Sequence, residues 1–130
     1  MKYRLLLLLI LFCLINAFAS KVDTMLVFSK TMHKTIPNIV IIPDSYNDQK
    51  QQFPVLYLLH GAGGDYTAWL SNIPEIKKHA DTYNIILVCP DGGFTSWYFD
   101  SPIDAEMKYE TYVADELISA IDKKYNTITD

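Results

Sequence analysis

The chain has 130 residues, 50% of them hydrophobic and 20% charged, with 15 acidic side chains against 11 basic ones. Such a composition describes a globular chain and excludes a disordered one, and its length holds one small domain at most. A net charge of −4 with no basic stripe argues against a nucleic-acid partner.

Lys2 and Arg4 precede an unbroken apolar run of 11 residues, Leu5 to Ile15, and Ala17-Phe18-Ala19 places small residues at the two positions a signal peptidase reads. Residues 1–19 are therefore predicted to be a signal peptide cleaved before Ser20, leaving a mature domain, 20–130, that is secreted or periplasmic. A membrane span needs about 20 apolar residues; Asn16 and Lys21 close this run early, so no stable membrane anchor is expected. Cys13 lies in the leader and is not set up for lipidation, so Cys89 is the one mature cysteine and no intramolecular disulfide is possible.

Thr24 to Phe28 and Asn38 to Ile42 are two β-rich runs that predict an antiparallel opening pair. Asn47 to Gln52 is polar and without periodicity, a loop. Pro54 to Leu59 follows without polar alternation, as in a strand buried on both faces. After the glycine-rich turn His60-Gly61-Ala62-Gly63-Gly64-Asp65 come Trp69 and a helix predicted over 73–83, then a second non-alternating strand over 85–89 that ends at Pro90-Asp91-Gly92-Gly93. Strand, glycine turn, helix and strand make the βαβ unit of a parallel α/β sheet. Tyr109 to Tyr125 is amphipathic, with Val113, Leu117, Ala120, Ile121 and Tyr125 at helical spacing, and a third parallel strand is expected from Asn126 onward.

A buried parallel strand that delivers a glycine-rich loop places unpaired backbone N–H groups at the carboxyl edge of the sheet, where ligands bind. Gly61, Ala62 and Gly63 are the candidates there; the alternative is a tight strand-to-helix turn without catalytic duty. Neither a phosphate loop nor a dinucleotide fingerprint fits, because no Gly-Lys-Ser/Thr and no third spaced glycine follow. The second loop, 90–98, reaches the same edge, and its Trp97 and Tyr98 either line an acyl or sugar pocket or pack over the loop. His60 at the end of a strand is better read as packing or bonding to the following loop than as an acid or base. The spacing of His33, His60 and His79 matches no zinc motif, and no residue pattern implies a cofactor or metal. Cys89 reads as a small buried hydrophobe more readily than as a nucleophile. No G-x-S-x-G occurs: Ser71, Ser96, Ser101 and Ser119 all lack the glycines of a nucleophile elbow.

The order of these motifs resembles an esterase family that includes the esterase D-like enzymes, S-formylglutathione hydrolases, mycolyltransferases of the antigen 85 type, and feruloyl and acetyl xylan esterases. The residues that carry the resemblance are Pro54 to Gly61, Gly63-Gly64-Asp65, Trp69, Val88 to Gly92, Ser96-Trp97-Tyr98, Tyr112 and Glu116-Leu117-Ile118. The resemblance implies an α/β-hydrolase fold and a serine nucleophile on an elbow shortly after the 109–125 helix, with acidic and histidine partners beyond it. On that reading 20–130 is the N-terminal part of the fold, inactive by itself.

Of the family's catalytic elements, only the oxyanion loop carries over, with the Ala62 backbone N–H as donor and Gly61, Gly63, Trp97 and Tyr98 as substrate contacts. The implied substrates are small-molecule or polysaccharide esters. The reading from a different class is a secreted, non-catalytic carbohydrate-binding domain that stacks Trp97 and Tyr98 on a sugar.

Overall fold

A computed structural model describes residues 20–46 and 51–129. The predicted signal peptide and residues 47–50 of the predicted loop lie outside the described residues. Strands β1 (Lys21–Ser29), β2 (Lys34–Ile42), β3 (Val55–Tyr57) and β4 (Ile86–Pro90) form one mixed sheet in the order β1-β2-β4-β3. β1 and β2 are the predicted antiparallel pair, joined by a turn in which His33 takes a positive φ of 51°. β2 also runs antiparallel to β4, whereas β3 and β4 are parallel, with Val55 opposite Ile86 and Tyr57 opposite Val88.

The opening pair is longer than the sequence predicts, because β2 continues through Pro37. The Pro37 carbonyl accepts the Asp91 N–H at 3.2 Å, which turns that residue's backbone polar groups toward the β4 side, just where β4 ends. Its missing N–H therefore costs the β1–β2 ladder nothing.

All five β4 residues are buried, as their unbroken apolar run predicts for a central strand covered on both faces. On one face Ile36, Val40, Ile86 and Val88 pack under Tyr112, Leu117 and Ile121. On the other, Ile39, Ile41, Leu87 and Cys89 pack under Ile76, Ala80 and the partly buried Trp69 and Leu70.

The second face is covered by two short helices, α1 (Ala68–Asn72) and α2 (Ile76–Tyr83), where the sequence suggested one helix over 73–83. Pro74 accounts for the break: it holds Ile73 in an extended conformation, φ −118° and ψ 91°. Asn84 then ends α2 in the left-handed region at φ 51°.

The first face is covered by α3, the predicted amphipathic helix. It opens as an α-turn (Tyr109–Thr111), widens to a π-helical segment (Tyr112–Leu117) and returns to α (Ile118–Lys124). Asp100 accepts the Thr111 N–H and hydroxyl at 3.1 and 2.6 Å at the start of this helix, and those bonds hold its carboxyl below the usual range. Two polar side chains of the π segment tie it to the opening strands. The Tyr112 hydroxyl donates to Asn38 Oδ1 at 3.0 Å inside the core, and Glu116 Oε1 accepts the Thr31 N–H and hydroxyl, both at 3.0 Å.

Beyond α3 the chain returns to the sheet. Phe53 donates to Asn126 O and accepts from the Ile128 N–H, at 2.9 and 3.0 Å, and Phe53 and Thr127 form a parallel bridge. Where a third parallel strand is expected from Asn126, the described residues form this single parallel bridge, next to β3.

Burial raises the hydroxyl pKa of Tyr57 to about 12, with Asp122 adding to the effect, and pushes Tyr112 higher still. An unfolded tyrosine ionises near pH 10, so the folded state holds these protons where the unfolded chain has lost them. Their contribution to stability is complete below about pH 10 and is lost as pH rises towards 12. We expect the urea midpoint of the chain to fall across that interval, and Tyr112→Phe to flatten the fall.

Candidate active site

The parallel register brings the carboxyl ends of β3 and β4 side by side and releases two loops from one edge of the sheet, residues 58–65 and 91–99. Pairing continues one step past β3, where the Leu58 N–H donates to Val88 O at 2.8 Å. The first loop then closes a β-turn from Gly61 to Gly64, whose N–H donates to Gly61 O at 3.0 Å. Gly63 occupies the third position of that turn at φ 74°, as in a type II turn, and this is where glycine is required. Asp65 accepts the Thr67 N–H and hydroxyl at 2.7 and 2.6 Å and so leads the chain into α1.

Three hydrogen bonds lace the two loops together. Gly92 N–H donates to His60 Nε2 at 2.9 Å, His60 N–H donates to the Tyr98 hydroxyl at 3.1 Å, and Gly63 N–H donates to Phe94 O at 3.3 Å. An amide N–H donates only, so Nε2 of His60 carries the lone pair. The ring proton is then on Nδ1, which donates to Gly61 O at 2.8 Å. Both ring nitrogens of this buried side chain are spent on backbone groups, which agrees with the structural reading of His60 and leaves neither free to shuttle a proton.

The second loop is held by residues for which the sequence suggested no structural role. The buried Ser96 hydroxyl donates to Gly92 O and accepts the Tyr98 N–H, and Asp91 accepts the Gly93 N–H at 2.7 Å. Trp97 and Tyr98 follow with positive φ of 53° and 55°. Left-handed geometry at two successive bulky residues costs about 1–3 kcal/mol each, a strain found mostly at functional sites. It sends the two rings in different directions. Trp97 stands 78% exposed, whereas the Tyr98 ring turns inward against His60, and its hydroxyl, pushed up to about 12 by burial, donates to Pro90 O at 3.3 Å.

A β-carbon at Gly92 would lie 2.3 Å from Tyr98 Cζ, so the inward ring fits only over glycine. The Asp91-Gly92-Gly93 run marked a turn in the sequence; the ring seated on it had no sequence signal.

Between the loops lies a cleft of about 200 Å³, walled by Gly61, Ala62, Phe94, Thr95, Trp97 and Tyr98 among others. Of the five sequence-predicted site residues, Gly63 does not line this cleft and instead bonds to the second loop, whereas the other four, Gly61, Ala62, Trp97 and Tyr98, line it. Gly61 and Ala62 are exposed on its rim, and the Ala62 N–H has no hydrogen-bond partner among the described residues. The other candidates do not converge. Cys89 is 1% exposed, and burial raises its thiol to about 11, which leaves it un-ionised at neutral pH. Ser96 and Ser101 are buried and bonded to loop backbone, and no group of three potential metal ligands exists among the described residues.

A model of the family described as "Putative esterase" matches residues 29–130. The chain belongs to this esterase family. Esterase Rv1288 of Mycobacterium tuberculosis is 32% identical to it over 91 residues, 68% of this chain and 20% of that protein. The acetyl esterase of Caldicellulosiruptor saccharolyticus is 32% identical over 98 residues, 70% of this chain and 36% of that protein. Among solved structures, a ferulic acid esterase superposes with a TM-score of 0.74 at 32% identity, over 87% of this chain and 46% of its own. The S-formylglutathione hydrolase of Agrobacterium tumefaciens superposes at 0.72 with 20% identity, a likeness of fold, over 87% of this chain and 47% of its own.

The esterase-family chain therefore spans between a fifth and about half of the proteins it matches. Its four-stranded mixed sheet and covering helices are part of an α/β-hydrolase fold.

Gly92→Ala is expected to displace Tyr98 and to lose about 1–3 kcal/mol in urea denaturation. Gly61→Ala, whose β-carbon would meet nothing within 4 Å, is expected to leave the midpoint unchanged.

Proposed function

We propose that this chain forms the oxyanion wall of an exported serine carboxylic-ester hydrolase that works through an acyl-enzyme on acyl, acetyl or feruloyl esters. The observation that carries the reading is the Ala62 N–H, without a partner among the described residues, on the rim of a cleft at the carboxyl end of a parallel strand pair. A backbone donor in that position stabilises the negative charge that develops on the ester carbonyl oxygen during attack. Such a donor is worth about 3–4 kcal/mol of barrier because it is already oriented and needs no reorganisation.

The second donor in this mechanism is the N–H that follows the nucleophile on its elbow. With no G-x-S-x-G in its 130 residues, the chain does not turn over ester by itself. Phe94 and Trp97, 73% and 78% exposed, stand beside the cleft as flat apolar surfaces suited to an aromatic acyl group. The names of the ferulic acid and acetyl esterases among the relatives favour the same substrate class. Export rests on the leader pattern of residues 1–19; among the described residues no helix is long and apolar enough to cross a membrane.

A chimera tests this reading: residues 20–130 joined to the nucleophile-bearing remainder of the ferulic acid esterase, assayed on methyl ferulate and p-nitrophenyl acetate. Ala62 is the second residue of its turn, a position that accepts proline, so Ala62→Pro deletes the N–H and keeps the bend. We expect kcat to fall about 100- to 1,000-fold with KM little changed, and Ala62→Gly to stay near wild type. Full activity in Ala62→Pro would contradict the assignment.

A further inference from the structure

We propose that His60 is a positioning residue that fixes which way the oxyanion donor points, an inference that rests on the ester-hydrolase reading and extends it. The Ala62 N–H belongs to the same planar unit as the Gly61 carbonyl. In a trans peptide the two point in opposite directions, and no cis peptide occurs among the described residues. Whatever holds the Gly61 oxygen therefore aims the Ala62 hydrogen.

Two donors hold that oxygen. His60 Nδ1–H reaches it at 2.8 Å from one side of the loop, and the Gly64 N–H reaches it at 3.0 Å across the turn. Together they keep the carbonyl inside the loop and leave the N–H directed away from the His60 ring. The Gly64 bond is one constraint on that plane, and it is lost whenever the glycine-rich turn opens.

The ring is the second constraint, and its own orientation is fixed from behind. The Gly92 N–H on Nε2 selects the Nδ1–H tautomer, and the Tyr98 hydroxyl on the His60 N–H anchors its backbone. The second loop thus sets the tautomer, the tautomer sets the Gly61 carbonyl, and the carbonyl sets the donor. This assigns a purpose to a buried histidine that has no free nitrogen for proton transfer.

Two substitutions separate the links. Asn places an amide N–H near the position of Nδ1, so His60→Asn keeps a donor for the Gly61 oxygen while giving up the acceptor for Gly92. Gln reaches toward the position of Nε2, so His60→Gln keeps an acceptor for Gly92 and gives up the donor. In the esterase chimera we expect His60→Gln to lower kcat about 10- to 100-fold with KM within about twofold, and His60→Asn to stay within about threefold of wild type. Equal losses in both, or a loss confined to KM, would overturn the proposal.

Independently of turnover, nitrogen NMR of the 15N-histidine-labelled 130-residue chain reads the tautomer. A proton on Nδ1 of His60 is expected, and a proton on Nε2 would overturn the proposal. A wild-type chimera without esterase activity would instead contradict the ester-hydrolase reading, and the tautomer would still decide the positioning.

Discussion

The cleft depends on one hydrogen bond between two loops, from the Gly92 N–H to His60 Nε2 at 2.9 Å. It exists because β3 and β4 are parallel neighbours, with Tyr57 at the end of β3 opposite Val88, two residues before β4 ends. Shifting that register by one residue would move Leu58 and His60 to the opposite face and separate the loops. Burial of β4 on both faces is what holds the register. Its Leu87 and Cys89 are fixed by the α1 and α2 side, and its Ile86 and Val88 by α3. Packing in the sheet core is in this sense the cause of the geometry at its edge.

The site spends its polar groups unevenly. His60, Gly63, Gly64, Gly92, Ser96 and Tyr98 all use theirs on one another or on neighbouring backbone. Ala62, at the rim, does not. Buried polar groups are ordinarily satisfied, and exposed loop amides ordinarily turn to water. A bonded frame that orients an unspent N–H is what electrostatic stabilisation of a reacting carbonyl requires. Strain at Trp97 and Tyr98 belongs to the same frame, since it places one ring under the loop and the other beside the cleft.

Much of this was legible in the sequence. The two non-alternating apolar runs located β3 and β4, but only β4 is buried on both faces: β3 is three residues long and lies at the edge of the described sheet, with Leu56 48% exposed. The glycines after His60 located the loop at the sheet edge. After the last helix, where a third parallel strand is expected, the described residues form one parallel bridge, Phe53–Thr127. Local pattern failed where the deciding partner is remote. Pro37 looked like a strand boundary, but its nitrogen faces the point where β4 has already ended. The widened π segment of α3 leaves no trace in the hydrophobic period of Tyr109 to Tyr125, and its polar links run to Asn38 and Thr31, far off in the chain. For Tyr98 the sequence left two readings, lining a pocket or packing over its loop, and the structure has it both wall the cleft and pack inward. Its positive φ, set within a loop organised by Ser96, seats the ring on Gly92 and commits its hydroxyl to His60 and Pro90, a geometry with no local signal.

Lacing the two loops leaves the Ala62 amide without a partner among the described residues, at the rim of the cleft. Amide hydrogen exchange on the 130-residue chain tests it most directly, residue by residue. The Gly92 and Gly64 amides are expected to be protected, while the Ala62 amide exchanges at close to its free-peptide rate. Protection of Ala62 equal to that of Gly92, or free exchange at Gly92, would contradict it.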